Sequence, residues 1–125
     1  MTGKLGIIGI MVLGILGAAV LTHAEPIKVS QVVYITRSKA CGCSAQSVKT
    51  ADAAIAQVFT GSRQVLLKRI DYDTDRQAAV PYIGEFRLIQ LPALLFLYGQ
   101  GHLLWSAIGN VERQQVAEKL DQLSS

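Results

Sequence analysis

Apolar and polar positions alternate in blocks along the chain, and the blocks change period. Ile27 to Ile35, IKVSQVVYI, is rich in β-branched and aromatic residues and closes on an unbroken apolar stretch, Val32 to Ile35. That composition predicts a strand covered on both faces. From Ser44 to Phe59 the spacing becomes helical: Val48, Ala51, Ile55, Val58 and Phe59 share one face, interrupted by Gln46, Lys49, Asp52 and Gln57. Thr60-Gly61-Ser62 ends that helix with a glycine at its usual place. Val65 to Asp71 predicts a second strand. Asp73 or Thr74 is then positioned to cap a short helix from about Asp75, broken by Pro81 and Gly84. Pro92 introduces the apolar run Ala93 to Tyr98, the turn Gly99-Gln100-Gly101 and a further strand, His102 to Ile108, which together predict a hairpin. Asn110 is the expected cap of a last helix, along which Val116, Leu120 and Leu123 recur at helical spacing.

The predicted order is strand, helix, strand, helix, strand, strand, helix. A strand-helix-strand unit implies a parallel pair, and the closing hairpin adds antiparallel strands to it. Strands this apolar need cover on both sides, so the expected architecture is an α/β three-layer sandwich: a mixed central sheet of about four strands flanked by helices.

Leu5 to Ala24 lies outside this scheme. It holds no charged residue, follows Lys4, and ends on Thr22 and Ala24. Residues 1–24 therefore read as a signal peptide cleaved ahead of Glu25-Pro26, or as an N-terminal membrane anchor, because the run is long for a signal core and close to a bilayer span. Either way residues 25–125 form the single domain and are expected outside the cytoplasm, in the periplasm or a similar compartment. They would be soluble after cleavage or tethered by residues 5–22. The chain of 125 residues has 12 Lys and Arg against 9 Asp and Glu, and only Lys4 falls in the first 24, which leaves the exported part at +2. The basic residues are scattered, which argues against a nucleic-acid partner.

Chemistry concentrates in SKACGCSAQ, which contains both cysteines, Cys41 and Cys43. They fall where the first strand hands over to the first helix. Unpaired backbone N–H groups at a helix start lower a thiol pKa from roughly 8.5, so Cys41 has the position of a reactive thiolate. Arg37 and Lys39 are expected to add positive potential. A disulfide needs Cα atoms roughly 4.4 to 6.8 Å apart, and a partly extended i, i+2 pair sits near the top of that range. Closure is feasible but bent, helped by the backbone freedom of Gly42, and a bent disulfide is an oxidising one. A structural staple is disfavoured because so short a loop gains little chain entropy. Two thiolates could hold Cu(I), yet no zinc set is complete and no cofactor motif is present. Asp71, Asp73 and Asp75 lack the glycine and terminal glutamate of a calcium loop and read as helix-start charges.

Three landmarks in this order resemble the thioredoxin superfamily over about Val29 to Leu123: ITRSKACGCSAQSV, LKRIDYDTD, and LIQLPALLFLYGQGHLLWSAIGNV. The resemblance implies a thioredoxin-like fold, with Cys41 attacking and Cys43 resolving. It also implies a cis Leu91-Pro92 bond facing the cysteines, with Leu91 and Pro92 forming a wall for an extended substrate segment. The implied activity is thiol-disulfide exchange, as an oxidoreductase or isomerase, on cysteine-containing protein partners, with a membrane redox partner compatible with export. The pattern also departs from the family. Cys-x-Cys replaces Cys-x-x-Cys, no tryptophan precedes it, and no acid ends the preceding strand. CGCS therefore also reads as a Cys-x-x-Ser site with Cys41 alone active, and ACGC as a site with Ala40 in the attacking position. The rival function is a non-catalytic thioredoxin-fold part of an envelope or secretion assembly, or a Cu(I)-binding module.

Overall fold

A computed structural model describes residues 27–124 of the chain. The proposed signal or anchor segment, its cleavage site and His23 lie outside the described residues.

Strand β1 (Gln31–Thr36) occupies the middle of a four-stranded sheet ordered β2-β1-β3-β4. This explains why its apolar stretch is continuous rather than alternating: Val32, Val33, Tyr34 and Ile35 are all fully buried, on two faces. β2 (Leu67–Asp71) runs parallel to β1, joined to it by helix α1 (Gly42–Val58). β3 (Ala93–Tyr98) and β4 (His102–Ile108) are antiparallel, and β3 pairs with β1 on its other side. Helix α2 (Arg76–Phe86) links β2 to β3, and α3 (Arg113–Ser124) closes the chain.

The alternation of side chains across the sheet divides the core. Val32, Tyr34, Leu94 and Phe96 face α1 and α3, meeting Ala51, Ile55, Val116 and Leu120. Val33, Ile35, Leu95 and Leu97 face the other way, onto Ala79 and partly buried Tyr82, Ile83 and Phe86 of α2. The three-layer sandwich expected from the sequence is therefore present, with two helices on one face and one on the other.

Four local expectations are corrected. The first strand begins at Gln31, not Ile27: the lead-in docks elsewhere, with Val29 N–H bonded to the Leu123 carbonyl of α3 at 2.8 Å. The second strand begins at Leu67, because residues Gly61–Leu66 form a 3-10 turn that leaves Val65 89% exposed. Helix α2 runs through Pro81 and Gly84 to Phe86, capped by Asp75, whose side chain accepts from Ala78 N–H, and not by Asp73 or Thr74. Proline removes one hydrogen bond from a helix. Here Pro81 and Gly84 lie on the exposed side, while Ala79, Tyr82, Ile83 and Phe86 hold the other side to the sheet. The last helix starts at Arg113. Its first bond runs from Val116 N–H to the Glu112 carbonyl, while Asn110 hydrogen-bonds the Glu112 side chain instead of capping.

Candidate functional site

The C-terminal end of β1, the start of α1, the β2–α2 turn and the segment before β3 converge at one end of the sheet. Cys41 is the N-cap of α1. Its carbonyl accepts from Ser44 N–H at 3.0 Å and Ala45 N–H at 2.9 Å. Both cysteines are free and exposed. The Cys41 and Cys43 Sγ atoms are 2.7 Å apart, and the Ser44 Oγ lies 3.4 Å from the Cys41 Sγ.

Those donors separate the two thiols chemically. Hydrogen bonding from Cys43, then from the Ser44 hydroxyl and backbone N–H groups of the first turn, brings Cys41 down to about 6. The same contact with Cys41, followed by the repulsion of its negative charge, pushes Cys43 above the ordinary thiol range. The pair therefore loses its first proton as a unit, with the charge residing on Cys41. Cys41 is the more acidic sulfur in this arrangement.

A cavity of about 380 Å³ opens beside the sulfurs, lined by Arg37, Cys41, Cys43, Ser44, Tyr72, Ile83 and Leu88 to Leu91. The Leu91-Pro92 bond is cis. Leu91 lines the cavity, while Pro92 is buried behind it and its carbonyl accepts from Gly109 N–H at 2.7 Å. Ile89, on the same rim, is 93% exposed.

The supporting residues behave differently from expectation. Gly42 is an ordinary first helical residue, absent from the positive-φ positions, and a Cβ there would meet nothing within 4 Å. Its glycine is not demanded by the backbone. Arg37 lines the cavity, but its guanidinium is paired with Asp73 at 2.9 Å. Lys39 is exposed, and what it supplies is a backbone N–H donated to Asp73 at 2.8 Å. His102 starts β4 opposite Tyr98, at the far end of the sheet from the cysteines.

Asp71 and Asp73 are the residues the sequence reading missed here. Asp71 accepts from Ser38 N–H at 3.1 Å and Asp73 accepts from Arg37 and Lys39, so two carboxylates, one ending β2 and one just after it, hold the loop that leads into Cys41. These bonds hold both carboxyls below the usual carboxylate range, chiefly through Ser38 for Asp71 and Arg37 for Asp73. A usable signal existed in the topology. Parallel pairing of β1 and β2 sets Thr36 opposite Asp71, which places the two following loops side by side.

The chain has a thioredoxin-like fold with a Cys-x-Cys motif at the start of its first helix. Similar solved structures include a thioredoxin from Malassezia sympodialis, at 13% identity over 80% of each chain with a TM-score of 0.55. Thioredoxin-2 of the malaria parasite, a component of its protein secretion machinery, is 16% identical over 76% of this chain and 82% of its own, with a TM-score of 0.51. The reduced C-terminal domain of Neisseria meningitidis DsbD is 15% identical over 79% of this chain and 84% of its own, with a TM-score of 0.50. At these identities the likeness is one of fold. No protein-family profile and no curated protein matches the chain.

Proposed function

We propose that this chain is an exported thiol-disulfide oxidoreductase that exchanges disulfides with cysteine-containing proteins through Cys41 and Cys43. The observation that carries the reading is the exposed, acidic Cys41 sulfur with a second thiol 2.7 Å away, both opening on a cavity bordered by Leu91. In the reductive direction the Cys41 thiolate attacks one sulfur of a partner disulfide. The S–S bond breaks, its other sulfur leaves as a thiolate, and a mixed disulfide remains. Cys43 then gives up its proton and attacks the Cys41 sulfur, releasing the second partner thiolate. The partner gains two electrons from the Cys41–Cys43 pair and, on protonation of its two thiolates, two protons, one matching that lost by Cys43 and one from solvent. Running the same steps backwards oxidises a dithiol partner. A stabilised Cys41 thiolate favours the reduced pair, so oxidation of partners is the favoured direction.

Cys43→Ala tests this. The variant should accumulate mixed disulfides with cysteine-containing proteins, and Cys41→Ala should form none. Equal trapping by both variants, or by neither, contradicts the proposal. The Ser44 hydroxyl 3.4 Å from Cys41 favours one alternative, exchange by Cys41 alone. In that case wild type and Cys43→Ala would trap partners equally.

A further inference from the structure

The acidic turn Asp71-Tyr72-Asp73 does more than start α2. Asp73 receives three donors from the loop before Cys41: Arg37 Nη2 at 2.9 Å, Arg37 Nε at 3.4 Å and the Lys39 N–H at 2.8 Å. Its side chain is 9% exposed, against 34% for that of Arg37. Arg37 also lies over the Tyr72 ring, 5.5 Å from its centroid, and lines the cavity onto which Cys41 opens. The guanidinium of the loop that leads into Cys41 is therefore held by a carboxylate from another element.

We propose that Asp73 is a positioning residue for Cys41, holding Arg37 on the cavity it shares with the sulfur in a neutral pair that weakens its pull on the thiolate. The charged and titratable groups around the site are Arg37 and Lys39 on the loop, Cys43 on α1, and Asp71, Tyr72 and Asp73 on the turn, with Arg76 of α2 stacked 4.9 Å above Tyr72. The segment Leu88 to Pro92 adds none. Removing either half of the Arg37–Asp73 pair thus leaves one uncompensated charge of known sign near Cys41. Arg37→Gln exposes the carboxylate, which disfavours the thiolate. Asp73→Asn frees the guanidinium, which favours it, while the amide oxygen can still accept from the Lys39 N–H.

The inference rests on Cys41 being the exchanging thiol, but its test does not require exchange. In full-length protein carrying Cys43→Ala, the pH profile of iodoacetamide alkylation reports Cys41 alone. Arg37→Gln should raise its midpoint and Asp73→Asn lower it, each by roughly 0.2 to 0.7, the range for exposed charge pairs. The double variant should return close to the parent. Arg37→Lys, which keeps the charge, should leave the midpoint near the parent even if Arg37→Gln folds poorly. The opposed shifts should shrink in 1 M salt. A purely structural clamp predicts that both single variants move the midpoint in the same direction or leave it in place, and either result overturns the inference. Failure of Cys43→Ala to trap partners would instead count against exchange itself.

Discussion

The acidity of Cys41 is the property on which the proposed exchange depends, and it can be perturbed one donor at a time. With the thiol at about 6, roughly 90% of Cys41 is thiolate at pH 7, against a few per cent for an ordinary cysteine near 8.5. The sulfur receives Cys43, the Ser44 hydroxyl and the first-turn N–H groups, in that order of effect. Cys43→Ala removes the largest contribution and leaves the others. The midpoint should therefore rise yet stay below the ordinary value, and the thiolate fraction at pH 7 should fall by roughly two- to tenfold. Ser44→Ala should move it the same way by a smaller amount. The assay is the rate of iodoacetamide alkylation between pH 4 and 10, read by mass spectrometry so that modification at Cys41 is resolved. The sign is fixed: alkylation falls as pH drops through the midpoint, because protonation removes the nucleophile. A wild-type midpoint above 8, or a Cys43→Ala midpoint below that of wild type, would refute the reasoning.

Phe96 is fully buried and packs edge-on against Trp105 at 5.1 Å, so Phe96→Ala should cost about 3–5 kcal/mol in a urea titration. A loss under about 1 kcal/mol would mean that the sheet does not pack on α1 and α3 as described. Gly109 has φ +77, and a Cβ there would meet the Gln90 side chain at 2.6 Å. Gly109→Ala should lower stability by about 1–2 kcal/mol, mostly from the left-handed backbone, since Gln90 can swing aside. Ile89 is nearly fully exposed on the cavity rim, so Ile89→Ser should leave stability within about 0.5 kcal/mol while weakening the yield of trapped partners. Unchanged trapping would remove Ile89 from the partner surface.

The central strand, the crossover helix and the hairpin were legible because each has a strong period or an unbroken apolar run. Where propensity met tertiary packing, packing won. Pro81 and Gly84 are helix breakers by type, but α2 survives them because both fall on its exposed side. Val65 continues an apolar run, yet the chain is still in the 3-10 turn there and β2 starts two residues later. At the site, the cysteine positions and Leu91-Pro92 could be read from linear order. The contact of Asp73 spans 36 residues and is visible only through the parallel pairing of β1 and β2, not in linear order. The pairing of Arg37 with Asp73 is hidden for the same reason: the partner is distant in sequence. Gly42 was given a conformational role that its backbone does not require.

The proposed exchange requires Cys41 and Cys43 to interconvert between a dithiol and an intramolecular disulfide. Equilibration in glutathione buffers of varied ratio, acid quenching and mass spectrometry measure that directly. A form two hydrogens lighter, bridging Cys41 and Cys43, is expected, with a midpoint more oxidising than the roughly −270 mV of thioredoxin. Glutathione adducts at Cys41 with no bridged form at any ratio would contradict it.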